Sequence, residues 1–112
     1  MNSVERAPAL SVLICTRNRP ENLRRAVVSI LANSFSDFEL IVIDQSTDAR
    51  SAQVMAAFND LRIRYFRTTI SRKIAIRAAR ADIVVFTEDY CICDRQWLAT
   101  IRARVSALPS RL

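Results

Sequence analysis

Apolar residues along this chain fall into two spacings, and the two alternate. Residues 10–15 are a short run of mostly apolar side chains, suited to a strand buried on both faces. The polar residues Thr16, Arg17, Asn18 and Arg19 follow and lead to Pro20, which fits the first turn of a helix, with Asn18 as its candidate cap. Leu23, Ala26, Val27, Ile30 and Leu31 then recur at helical spacing, a stripe able to cover a sheet face. Residues 33–37 break that pattern. Residues 38–43 read as a second buried strand, closed by the turn-rich Asp44, Gln45, Ser46, Thr47 and Asp48.

A weaker helix over residues 50–59 leads to residues 61–66, where apolar and basic side chains alternate as on a half-exposed edge strand. Residues 71–80 are alanine-rich, with Ile74, Ala75 and Ala78 on the inner side of a helix and Arg72, Lys73, Arg77 and Arg80 largely outside. Residues 82–87 form a fourth strand, with Ile83, Val84, Val85 and Phe86 at its centre. After residues 88–94, the spacing of Trp97, Leu98, Ile101, Val105 and Leu108 marks a closing amphipathic helix. Alternating strands and helices imply an α/β fold, a Rossmann-like open parallel sheet with helices on both faces and expected strand order 3-2-1-4. Residues 10–108 would form one domain after a leader of residues 1–9. Ligands of such sheets sit beyond the carboxyl ends of the strands, at the switch point between strands one and four. Thr16, Arg17, Asp44, Glu88 and Asp89 would therefore converge.

Two absences narrow the chemistry. The chain has no histidine, which removes imidazole acid/base work, Ser-His triads and most zinc sites. It also has no glycine, so neither the Walker loop nor the Gly-x-Gly-x-x-Gly turn can form, and any phosphate must be held by side chains or a metal. The net charge of +6 suits an acidic partner without choosing one, and a solvated basic face would show the same surplus. Three cysteines, Cys15, Cys91 and Cys93, point to reduced thiols rather than a disulfide framework. No apolar run is long enough to span a bilayer, and residues 1–8 lack the apolar core of a secretory signal, so a cytoplasmic location is expected.

Glu88 and Asp89 directly follow an apolar strand, with Asp44 nearby if the strand order holds. Carboxylates so placed repel one another, and Mg2+ or Mn2+ bridging them to a substrate diphosphate would relieve that repulsion. A plainer reading has Asp44 and Asp48 capping a turn or helix, with Glu88, Asp89 and Asp94 in a solvated loop.

The ordered set of motifs resembles family 2 glycosyltransferases, which share the A-type nucleotide-sugar fold. The carrying segments are residues 11–20 (SVLICTRNRP), 35–44 (FSDFELIVID) with Ser46, Thr47 and Asp48, and 78–89 (AARADIVVFTED). The resemblance implies that Cys15, Thr16 and Arg17 hold the nucleotide base. Arg17 stands where the family commonly has an aromatic residue, and a guanidinium plane can also stack on a base. Asp44 matches the acidic residue that reads base or ribose; Gln45 replaces a second acid often found there and receives no role. Arg72 falls near a basic position facing the diphosphate. Glu88, Asp89 and Tyr90 match the acidic metal motif, usually a run of aspartates, which makes Asp89 the direct ligand and Glu88 an outer or diphosphate-side partner.

The implied activity is transfer of a sugar from a nucleoside diphosphate donor to an acceptor hydroxyl, typically with inversion. The acceptor-side base lies in a later part of the family's domain, so none is nominated, and the domain is expected to be incomplete on its C-terminal side. Two rival classes are a non-catalytic nucleotide-binding or scaffolding module, and a basic domain contacting nucleic acid or anionic lipid through Arg72, Lys73, Arg77 and Arg80. No aromatic residues interleave with those charges, which disfavours nucleic acid and leaves peripheral membrane contact open. Self-association is expected through the edge of strand four, whose apolar residues lack protective charges.

Overall fold

A computed structural model describes residues 6–68 and 76–108. Its elements are β1 (Leu10–Thr16), α1 (Pro20–Leu31), β2 (Phe38–Asp44), α2 (Arg50–Ala56), β3 (Ile63–Arg67), β4 (Ile83–Glu88) and α3 (Trp97–Ser106). The four strands form one sheet in the order β3-β2-β1-β4, and every pairing is parallel. This is the order expected from the alternating pattern. The register places Thr16 beside Asp44 and Cys15 beside Glu88, so the ends of β1, β2 and β4 lie nearly level.

Strand alternation sorts the residues onto two faces. On one face Leu10, Val12, Ile14, Leu40, Val42 and Val85 meet Leu23, Ala26, Val27 and Ile30 of α1, Met55 of α2 and Leu98 of α3 in the main core. The apolar stripe of α1 is the reason that helix lies there. The opposite face buries Leu13, Ile41 and Ile43 against Cys15, Phe66, Ala78, Ala79 and Val84. Residues 76–78 are helical on that side. Helices thus reach both faces, although α1, α2 and α3 all serve the first.

Several expectations need correction. Asn18 does not cap α1: the N-cap is Arg19, without a side-chain hydrogen bond. Leu61 lies in a turn and is wholly exposed, so the edge strand begins at Ile63. The final helix stops at Ser106 and leaves Leu108 exposed. The helix expected over 71–80 falls mostly outside the described residues, Arg72 and Lys73 included.

The second strand contains a buried charge that its apolar pattern concealed. Glu39 is 1% exposed and belongs to the second face. It accepts hydrogen bonds from Ser11 Oγ at 2.5 Å, the Arg80 backbone N–H at 2.6 Å, Arg64 NH1 at 3.0 Å and Arg80 Nε at 3.1 Å. Burial alone would push its carboxyl up, but the bonds from Ser11, the Arg80 backbone and the two guanidinium groups outweigh it and hold the group below its ordinary range. Arg80 is therefore tied to the sheet rather than simply turned outward, and Ser11 Oγ also accepts from the Ala81 N–H at 3.0 Å.

Candidate functional site

The loop after β1 is shaped by Asn18, whose φ of 55° is the one positive value among the described residues. Asparagine tolerates this left-handed geometry better than most side chains, which suits a chain without glycine. Its Oδ1 accepts from the Thr47 N–H at 2.9 Å and Thr47 Oγ1 at 3.2 Å, and its own N–H donates to Ser46 Oγ at 2.8 Å. The loops leaving β1 and β2 are stitched together by these bonds.

Beyond β4 the chain turns at Asp89, which is 3% exposed. Thr16 Oγ1 donates to Asp89 Oδ2 at 2.8 Å, and Arg19 NH1 contacts Asp89 Oδ1 at 3.2 Å. Asp89 is thus no member of a solvated loop. A cavity of about 260 Å³ opens above it, lined by Cys15, Thr16, Arg17, Arg19, Gln45, Glu88 and Asp89. The structure therefore gathers five of the singled-out residues: Cys15, Thr16, Arg17, Glu88 and Asp89. Arg17 is exposed at this rim.

Asp44 takes a different place. It is fully buried, with Oδ1 accepting from the Ser46 N–H at 2.9 Å and Oδ2 from Tyr65 OH at 2.6 Å. Burial, and then the bond to Asp44, push the Tyr65 hydroxyl well above the ordinary phenol range. The three carboxylates form no joint metal site: among the described residues no group of three His, Cys, Asp or Glu side chains is arranged to hold a metal. β1 lies between Asp44 and the acidic pair, so the sheet itself separates them. Part of the plainer reading is present here, since Asp44 closes a turn. Asp48 likewise accepts from the Arg50 N–H at 3.0 Å before α2, and Asp94 from the Gln96 N–H at 2.8 Å before α3. Arg72 lies outside the described residues.

Sequence reasoning missed Arg19, Gln45 and Tyr65. Gln45 was legible as the neighbour of a strand-end acid. The partnership of Arg19 with a residue 70 positions away, and of Tyr65 with Asp44, has no local signal. The cysteines are unpaired with one another and partly buried. Burial pushes the Cys93 thiol up, which opposes nucleophilic use.

The donor set at Asp89 is made of carboxylate and hydroxyl oxygens, the hard donors that Mg2+ and Mn2+ take together with substrate phosphates. One buried carboxylate with a neighbouring acid suits such a cation only when a ligand supplies the remaining oxygens.

An open parallel sheet with its polar cavity at the β1/β4 switch point defines a nucleotide-binding type of α/β domain. The sequence pattern of Glycosyl transferase family 2 matches residues 11–110, and the chain belongs to that family. It is 29% identical over 98 residues to WcaA of Escherichia coli K12, named for glycosyl transfer in colanic acid biosynthesis, covering 80% of this chain and 34% of that protein. A crystal structure of S. aureus TarS superposes with a TM-score of 0.76 at 21% identity, over 87% of this chain and 32% of TarS. The mannosyltransferase PcManGT of Pyrobaculum calidifontis, solved with GDP-Man and Mn2+, gives a TM-score of 0.73 at 22% identity over 87% of this chain and 32% of that one. Another TarS structure contains UDP-GlcNAc. The chain thus spans about a third of the length of these relatives. The shared fold is the A-type nucleotide-sugar fold.

Proposed function

We propose that this domain binds a nucleoside diphosphate sugar in the cavity between β1 and β4, with Mg2+ or Mn2+ held chiefly by Asp89, in the service of sugar transfer to an acceptor hydroxyl. The observation that carries this reading is Asp89 itself: a carboxylate only 3% exposed, just beyond the end of β4, opening onto a polar cavity. The Mn2+ and GDP-Man bound by PcManGT support it by likeness of fold.

In this reading Thr16 orients Asp89 through its 2.8 Å bond, and the exposed Arg17 guanidinium lies flat against the base. Glu88 faces the diphosphate side. Asp44 acts from beneath, fixing the exit of β2 through Ser46 and Tyr65 so that the base and ribose meet a rigid loop. The bound cation supplies charge stabilisation to a departing diphosphate. No acceptor-side base is assigned to these residues. The absence of a three-carboxylate group among the described residues favours a second reading, a module that binds nucleotide without turnover.

Calorimetry with UDP and GDP, with and without Mn2+, tests the assignment. Asp89→Asn keeps the shape and should abolish the metal-dependent part of nucleotide affinity, whereas Asp44→Asn should weaken binding equally in both conditions. An Asp89→Asn protein with the parent's Mn2+ response overturns the metal assignment. A loss in Asp44→Asn confined to the Mn2+ condition overturns the division of roles. Sugar transfer to any acceptor hydroxyl by the parent would overturn the second reading.

The proposal includes association through the outer edge of β4, which pairs with no further strand among the described residues. Phe86, 46% exposed, supports this.

A further inference from the structure

We infer that Arg19 is the resident counter-charge of Asp89 and gives way when a divalent cation arrives with a nucleotide, so that metal and nucleotide bind as a coupled pair. This rests on the reading of Asp89 as the metal residue.

The two partners of Asp89 are unlike. Thr16 is buried at the end of β1 and donates to Oδ2, a contact between β1 and the residue that directly follows its paired neighbour β4. Arg19 reaches Oδ1 with one nitrogen at 3.2 Å, and its side chain is 56% exposed. A buried carboxylate needs a compensating positive charge, and Arg19 supplies it. The same bond is weakly held from the other end, because a guanidinium already in water loses little by leaving. Asp89 therefore gains more from the pair than Arg19 does, which is the asymmetry an exchangeable partner requires.

Of the two carboxylate oxygens, Oδ1 is the one whose partner is exchangeable, since Oδ2 is bonded to the buried threonine hydroxyl, so a divalent cation entering from the cavity would compete with Arg19 there. Cation and guanidinium on one carboxylate oxygen would set three positive charges against one negative charge. They repel, and one excludes the other. Arg19 also lines the cavity beside Arg17, so after displacement it remains next to any diphosphate bound there. Phosphate oxygens are better acceptors for a guanidinium than water is. The nucleotide thus offers Arg19 a second anion at the moment the cation needs Asp89, and each ligand promotes the other by linkage.

The test is Mn2+ titration followed by electron paramagnetic resonance, with and without UDP or GDP, on the parent, Arg19→Met, Arg19→Lys and Asp89→Asn. Without nucleotide, Arg19→Met should bind Mn2+ about tenfold tighter than the parent, and the factor by which nucleotide tightens Mn2+ binding should fall by a similar amount. Arg19→Lys retains the charge and should stay close to the parent, while Asp89→Asn should lose Mn2+ in both conditions. If Arg19→Met binds Mn2+ no more tightly than the parent while Asp89→Asn loses it, the exchange is wrong and the metal assignment stands. Equal gains in Arg19→Met and Arg19→Lys would also overturn the exchange, because shape rather than charge would be acting. Parent-like Mn2+ binding by Asp89→Asn would remove the metal assignment and the exchange together.

Discussion

The two faces of the sheet solve the same burial problem with different chemistry. One face is covered by α1, α2 and α3, and its core runs through apolar residues from Leu10, Val12 and Ile14 through Leu40 and Val42 to Leu98, with the buried Ser51 and Asn33 beside it. The other buries, among the described residues, Leu13, Ile41 and Ile43, and beside them holds Glu39 with Ser11, Arg64 and Arg80. Where several helices supply apolar area, non-directional burial suffices. On the second face directional bonds are added to burial: Glu39 and Ser11 fix the backbone at Arg80 and Ala81 just before β4. The helix-covered face gives stability, and the Glu39 face gives a defined path into the strand that leads to Asp89.

That contrast can be broken experimentally. The largest effect belongs to the apolar face, where Leu40→Ala should destabilise the fold by about 2–5 kcal/mol in urea denaturation, since Leu40 is wholly buried under the helices. A loss well under 1 kcal/mol would mean that this core is not packed as described.

Next comes Glu39→Gln, expected to cost about 1–3 kcal/mol near neutral pH, because its partners Arg64 and Arg80 remain partly solvated. The pH dependence sharpens it. Glu39 has a folded pKa below the ordinary 4.5, so its stabilisation is complete above that value and is lost as pH falls through the lower, folded value. The gap between parent and Glu39→Gln should close in acid. A gap unchanged down to the acid transition would show that shape, not charge, holds the Glu39 face. The smallest effect should come from Phe86→Lys, under about 1 kcal/mol on stability because nearly half the ring is already exposed. Sedimentation should nevertheless move toward monomer, and unchanged association would remove the β4 edge as a contact.

What was legible in the sequence follows the same division. β1, β2, β4 and α1 were readable because apolar periodicity reports burial on the helix-covered face, and the strand order followed from alternation. Asp89 was singled out by its place after an apolar strand together with the motif resemblance, while its burial and its bond to Thr16 were not legible. Glu39 was not, since one charge inside an apolar run is indistinguishable from an exposed position until Ser11, Arg64 and Arg80 are brought to it from three other parts of the chain. Asp44 was legible as the acid that closes β2, but its bond to Tyr65 was not. The pattern located the end of β2, whereas only the tertiary structure could show Tyr65 reaching across from β3. Arg19 looked like a helix-entry residue, which it also is.

The left-handed turn at Asn18 bears on the unfolded chain as much as on the folded one. In this glycine-free sequence every residue carries a Cβ, so the denatured ensemble lacks the especially mobile joints that glycine provides. Each such joint replaced by a side-chain-bearing residue at a compatible position favours the folded state by about 0.4–1 kcal/mol, through lost disorder rather than gained contact. The native structure asks for left-handed geometry at Asn18 alone among its described residues, so this restriction conflicts with the fold at a single point. There the Thr47 and Ser46 bonds offset the local cost. Part of this domain's stability therefore resides in the stiffness of the chain before it folds.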